Sequence, residues 1–186
     1  MLGTGLSCFR TASRNLLLPD HEIRKLCIEQ GMVVPYQEAL LNPASLDVTL
    51  GSTLLVEVPE TPELQLVDIG HCTQEAPHLL APQEFVLAET MEMFYLPDDV
   101  CAQFILKSSR GREGYSHALC GFCDAGWHGS RLTLELHSLR SKHALPLYPG
   151  MKIGQLVFSR MESAPERTYA VTGRYNSDPG VMASKG

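Results

Sequence analysis

The chain lacks a basic excess. Its 15 Lys and Arg stand against 21 Asp and Glu, a formal net charge of −6. A broad grip on a nucleic-acid polymer needs a basic surface, so that class of partner is excluded. No apolar run comes near the roughly 18 residues that cross a bilayer, so no membrane span is expected. Residues 1–15, MLGTGLSCFRTASRN, hold no apolar stretch fit for a secretory signal and read as a flexible leader. Without such a signal the six cysteines read as reduced thiols in a cytoplasmic compartment, since they follow no repeating pattern. Neither an internal repeat nor a low-complexity tract occurs. What remains is 186 residues of ordinary hydrophobic content, 44%, about one domain with a real core.

HALCGFCDAGWH (117–128) raises the question of zinc. Cys120 and Cys123 have C-x-x-C spacing between His117 and His128, and these are zinc-ligand types. Zinc chemistry on nucleobases also needs an H-x-E and a proline before the C-x-x-C. The sequence has no H-x-E, Leu119 precedes Cys120, and there is no second C-x-x-C. The expectation is therefore two thiols packed in or near a strand, with no zinc.

Strand signals dominate the pass along the chain. LPDHEIRKLCIEQG reads as a short helix opened by Pro19 or Asp20, with Ile23, Leu26 and Cys27 on one face and Gly31 at its end. LDVTLGSTLLVEV (46–58) alternates, with Gly51 as a turn or bulge. From Pro59 to Pro82 the prolines and acids predict a loop holding one short strand, LQLVDI. EFVLAETMEMFYL (84–96), the apolar run after Pro97, RLTLELHS (131–138) and KIGQLVFSRM are further strands, the last two joined by LPLYPG as a turn. Many short strands with Gly/Pro punctuation predict a mainly β fold, a barrel or sandwich over 16–163. Residues 164–186 are polar and read as a tail, either mobile or folded over a ligand.

Three stretches have the residue types for chemistry. In LKSSRGREG (106–114), Ser108 and Ser109 stand at the start of a short helix, with Lys107, Arg110 and Arg112 close by. Hydroxyls, helix-start N–H groups and cations suit a polyphosphate, and a capped helix with a solvated basic face is the alternative. In RLTLELHS, period 2 sets Leu132, Leu134 and Leu136 on one face and Arg131, Thr133, Glu135 and His137 on the other. Were the second face to line a pocket, desolvation would raise the pKa of Glu135 and make it a general base. DAGWHG (124–129) is a tight turn in which Asp124 either caps the turn or accepts from a sugar hydroxyl.

Taken in order, the chain from Leu18 onward resembles the deoxycytidine triphosphate deaminases of the trimeric dUTPase-like superfamily. The matching stretches are NPASLDVTLG, FVLAETMEMFYLPDDV, KSSRGREG, GFCDAGWHG, LTLEL, LPLYPGMKIGQLVF, and GRYN followed by GVMASK. The resemblance implies a distorted β-barrel subunit of dUTPase-like, β-clip type, a homotrimer with sites shared between neighbours, and deamination of dCTP to dUTP and ammonia without zinc. It implies that Glu135 activates the water that attacks C4 and that Ser108 and Arg112 flank the base and phosphates. Ser109 and Lys107 fall in the phosphate-binding stretch and Asp124 in the sugar-binding one. Cys120 stands where a small residue exposes its backbone to the base. Tyr169 and Arg174 match tail residues that close over the triphosphate, and Mg2+ accompanies the nucleotide on its phosphates. The two histidines beside the C-x-x-C are then incidental or structural. dCTP and dUTP are the implied ligands, with dTTP as a candidate inhibitor.

The chain departs from the family pattern at three points. Asp178 stands where the family has a glutamine before a tail glycine, and a carboxylate cannot donate as an amide can. GWHGSRLTLEL is one residue longer than usual, which a bulge would absorb. The stretch between Gly114 and Asp124 is one residue shorter. Beside dUTP release, the alternatives are a bifunctional enzyme giving dUMP and diphosphate, and a nucleotide-binding regulator without turnover. A plain dUTPase is less suited, because the Gly-rich C-terminal motif of that enzyme is missing. A zinc-stabilised binding module is the remaining class.

Overall fold

The computed structural model describes residues 16–186, so the reading of 1–15 as a leader lies outside the described residues. Strand β1 (Leu16–Leu17) leads to helix α1 (Asp20–Gln30). Pro19 immediately precedes the helix with an extended backbone, and Gly31 ends it at φ 65°, its N–H donating to the Cys27 carbonyl. Ile23, Leu26 and Cys27 form the buried face, as their spacing requires.

The chain continues through β2 (Val33–Val34), a 3-10 turn (Glu38–Leu40), β3 (Leu41–Asn42) and the long β4 (Ser45–Val58). Next come β5 (Thr61–Asp68), β6 (His78–Leu80), β7 (Phe85–Tyr95) and β8 (Val100–Leu106). Helix α2 (Ser108–Glu113) is followed by β9 (Tyr115–His117), β10 (Phe122–Cys123) and β11 (His128–Ser138). Strands β12 (Leu145–Leu147) and β13 (Lys152–Arg160) precede helix α3 (Tyr169–Thr172). Eleven strands form one curled sheet in the order β10-β8-β13-β4-β7-β11-β9, with β1, β2, β3 and β5 attached at its margins and β12 paired to β6. The fold is mainly β, a curled half-barrel, as expected.

Strand β4 ties the sheet together. Its first half pairs with β13 and its second half with β7 and β5. Buried on both faces from Ser45 to Gly51, it carries three polar side chains into the interior, each with a partner, Ser45 Oγ donating to Gln155 Oε1 at 2.8 Å. Asp47 accepts from Lys107 Nζ at 2.7 Å and from Asn42 Nδ2 at 2.9 Å. Thr49 donates through its N–H and Oγ1 to the Glu92 carboxylate of β7, at 3.0 and 2.8 Å.

One alternative in the sequence is decided by the sheet, and two expectations are corrected. Of the two readings of Gly51, the bulge holds and the turn does not: β4 runs through it, and the pairing to β7 slips between Leu50 and Leu54. A Cβ at position 51 would stand 2.5 Å from Glu89 Cγ, so the glycine leaves room for a buried carboxylate. Residues 61–68 form a full strand rather than a loop with a short one. Strand β5 lies at a margin, where Pro62 forfeits no interior ladder bond and most side chains face solvent, which hides the pattern. Within LPLYPG, the first three residues form β12 and only the remainder turns.

Candidate active site

Strand β11 pairs antiparallel with β7, and the pairing slips between His128 and Ser130 and again between Arg131 and Thr133. The first slip sets two steps of β11 against one of β7, the bulge that an extra residue in this stretch would require, while the second has its extra residues on β7. Leu134 and Leu136 are fully buried, while Arg131, Thr133 and Glu135 line a cavity of about 570 Å3. That is room for a ligand of nucleotide size. The loop before β10 adds Cys120, the turn after it adds Asp124 and Trp127, and the tail adds Tyr169, Tyr175 and Asp178.

The Glu135 side chain is 26% exposed and its Oε2 lies 3.1 Å from His117 Nε2. His117 is on β9, which joins β11 in the register Leu136–His117, so the two side chains meet across adjacent strands. The ring packs on Phe104 with centroids 4.5 Å apart and is only 5% exposed. Neither Nε2 nor Oε2 has another partner, and the contact is an ion-pair approach rather than a well-aligned hydrogen bond. Burial pushes the Glu135 pKa up, but the His117 ring and the Cys120 thiol outweigh it and hold the carboxyl below its ordinary value. The expectation that desolvation would raise it is corrected: neighbouring donors win. Cys120 is exposed in the cavity; burial of its sulfur and the adjacent Glu135 charge push its thiol up to about 11, so it stays protonated, and Sγ donates to the Ala118 carbonyl at 2.8 Å.

The turn 124–129 depends on Gly126, at φ 82°, where a Cβ would meet the Thr168 side chain at 2.8 Å. That approach brings the tail against the turn. Trp127 stacks on Phe94 and its Nε1–H donates to the Tyr175 carbonyl at 2.8 Å. Ser130, in the irregular stretch of β11, donates to the same carbonyl at 2.7 Å and accepts from the Asp178 N–H at 3.1 Å. Thus the tail is docked along β11. Arg174 is exposed and lies outside the cavity lining.

The basic cluster behaves differently. Ser108 and Ser109 open α2 as expected, yet no α2 residue lines the cavity. Lys107 is committed to Asp47, and Arg110 to Glu113 at 2.7 Å and the Lys152 carbonyl at 2.9 Å. Arg112 is exposed with no ion-pair partner among the described residues. Within one subunit, then, the structure brings together Glu135, Cys120, Asp124, Tyr169 and Asp178 and leaves Lys107, Ser108, Ser109, Arg112 and Arg174 outside.

Among the described residues no group of three His, Cys, Asp or Glu side chains converges to hold a metal ion. His117 turns to Glu135, His128 Nδ1 to the Gly126 carbonyl at 2.9 Å, and Cys123 is buried. Nor is any helix among them long and apolar enough to cross a membrane.

Sequence reasoning missed His117, set aside as incidental, and Arg131, the one cation among the described residues that lines the cavity. Period 2 already put Arg131 on the Glu135 face. Only the β9–β11 pairing reveals His117.

The sequence model described as dCTP deaminase-like matches residues 17–161. A protein of Rhodococcus opacus named "dCTP deaminase, dUMP-forming" is 36% identical over 183 residues, covering 91% of this chain and 96% of that protein. A Streptomyces avermitilis protein of the same name is 38% identical over 184 residues, covering 91% and 95%. The crystal structure of 2'-deoxycytidine 5'-triphosphate deaminase from Agrobacterium tumefaciens superposes with a TM-score of 0.61 at 24% identity, over 77% of this chain and 48% of that longer one, and bears on the fold alone. A half-barrel with a nucleotide-sized cavity around Glu135, and relatives alike over nearly their whole length, lead to one assignment: the chain belongs to the dCTP deaminase-like family.

Proposed function

We propose that this chain removes the C4 amine of dCTP and carries the product on to dUMP and diphosphate. The observation that supports this most is Glu135, held ionised in the cavity beside His117. An ionised carboxylate takes a proton from water as the water oxygen bonds to C4. The proton passes to N3, the carboxylate then carries the proton of the new C4 hydroxyl to the amine, the C4–N4 bond breaks as the C4=O bond forms, and ammonia leaves. Asp124 closes its turn by accepting the Trp127 N–H on its backbone carbonyl at 3.2 Å, and its side chain lines the cavity, placed to accept from the sugar hydroxyl. Release of dUTP was the leading expectation, but the names of relatives at 34–38% identity favour the dUMP-forming alternative.

A homotrimer with shared sites fits the charge pattern. Among the described residues the cavity is lined by the carboxylates of Asp124, Glu135 and Asp178 and by one guanidinium, Arg131. A triphosphate needs more positive charge than this. We assign the missing groups to helix α2 of a neighbouring subunit, with Ser108 and Ser109 as hydroxyl donors and Arg112 as the unpaired cation, while Lys107 anchors that helix to Asp47. Tyr169 and Arg174 act from the tail. Mg2+ would arrive on the triphosphate with its waters, since this ion keeps several of them and binds through phosphate oxygens. Bound there, it would offset phosphate charge.

The test is incubation with dCTP, dCMP or dUTP in magnesium buffer, with the products resolved. dUMP and diphosphate are expected from dCTP, and Glu135→Gln should bind nucleotide without deaminating it. Accumulation of dUTP alone would return the reading to a monofunctional deaminase. Tight binding without turnover by the unmodified chain would favour a non-catalytic regulator.

A further inference from the structure

We propose that Lys185 is a positioning residue that clamps Asp178 and so fixes the tail wall of the cavity before any nucleotide arrives. The proposal rests on the reading of that cavity as the nucleotide site. Five contacts converge on Lys185. Its Nζ donates to Asp178 Oδ1 and Oδ2 at 2.8 and 2.7 Å and to the Arg174 carbonyl at 2.8 Å. It lies 5.1 Å from the centroid of the Tyr175 ring, and the Lys185 N–H donates to the Tyr175 hydroxyl at 3.1 Å.

The carboxylate it clamps lines the cavity and is 12% exposed. An unpaired, largely buried carboxylate there would repel an anionic ligand and would itself be costly to desolvate. Lys185 removes both problems while its own side chain stays outside the lining. Asp178 is thereby occupied as a lock and is not available to read a base, which accounts for a carboxylate at this position.

The clamp closes a loop whose near end is already fixed. Arg131 N–H donates to the Asp178 carbonyl at 2.9 Å, and Ser130 and Trp127 both hold the Tyr175 carbonyl. Beyond Asp178, Met182 N–H donates to Thr133 Oγ1 at 3.2 Å, and Met182, Ala183 and Ser184 line the cavity. Lys185 ties that far end back to the near end.

Trp127 is the chain's single tryptophan and its indole is bonded to the tail, so its fluorescence reports docking without any nucleotide. The experiment compares the full chain with Lys185→Met, Lys185→Arg, Asp178→Asn and the Asp178→Asn/Lys185→Met double variant. In Lys185→Met, acrylamide quenching of Trp127 should rise about twofold and the KM for dCTP about tenfold, with kcat within about twofold, the split expected of a lost positioning contact. Lys185→Arg should restore both. With Asp178→Asn there is no charge to clamp, so adding Lys185→Met should shift KM by less than about twofold. Unchanged quenching in Lys185→Met, or an equal KM shift in the Asp178→Asn background, overturns the clamp. If the unmodified chain neither binds nor deaminates dCTP, the functional reading fails, and the quenching series alone then decides for or against the clamp.

Discussion

His117 and Glu135 face each other at 3.1 Å, so the protonation of Glu135 is tied to the presence of His117. Burial alone would raise the Glu135 pKa, and His117 is the leading group that lowers it. In His117→Phe the ring stack on Phe104 survives and the nitrogen does not. The acid limb of the kcat/KM profile should then move up by about one pH unit. An unmoved limb would mean that His117 does not act on Glu135. Stability has the matching sign. The folded carboxyl sits below its unfolded value of about 4.3, so the contact stabilises fully above that pH and is lost as pH falls through the lowered folded value. Urea titrations of both proteins from pH 6 downward should therefore converge at acid pH. At this scale Glu135 was legible from strand alternation joined to resemblance. His117 and Lys185 were not, because each acts through a neighbour set by strand pairing or loop closure.

Among the elements, β4 and β7 are joined by more than their ladder. Glu92 accepts from the Thr49 N–H and hydroxyl in a buried setting. Burial raises its pKa and the Thr49 bonds only partly offset this. Glu92→Ala strands those donors and should cost about 1–3 kcal/mol in denaturant unfolding. Because the folded pKa is raised, the wild-type carboxyl is best accommodated below its unfolded value, and that advantage is lost as pH rises through the folded one. The elements legible in the sequence were those with a clean period: α1 by its caps and apolar face, β7, β11 and β13 by alternation. Strand β5 was obscured by its marginal position and Pro62, and β12 by the proline-glycine turn beside it. Composition cannot report that a polar segment pairs with a distant partner.

For the whole molecule, Glu135 lines the cavity and Arg112 lies on α2, on different parts of one subunit. If a neighbouring copy completes the site, two dead variants should rescue each other. Glu135→Gln and Arg112→Ala, each inactive alone, should regain about a quarter of wild-type activity when unfolded together and reassembled in equal amounts, since about one interface in four then joins two intact halves. No recovery in verified mixed assemblies would confine the site to one subunit. The barrel class was legible because turn residues recur between short apolar runs. The placement of the tail was not, since its anchors are backbone carbonyls. The continuity of β4 has one further consequence, for dissection of the chain. A protein split at the exposed segment 141–143 keeps every strand of the curled sheet whole, and its two pieces should reassociate on mixing. A cut inside β4 instead severs the one strand shared by both halves, and those pieces should remain unfolded.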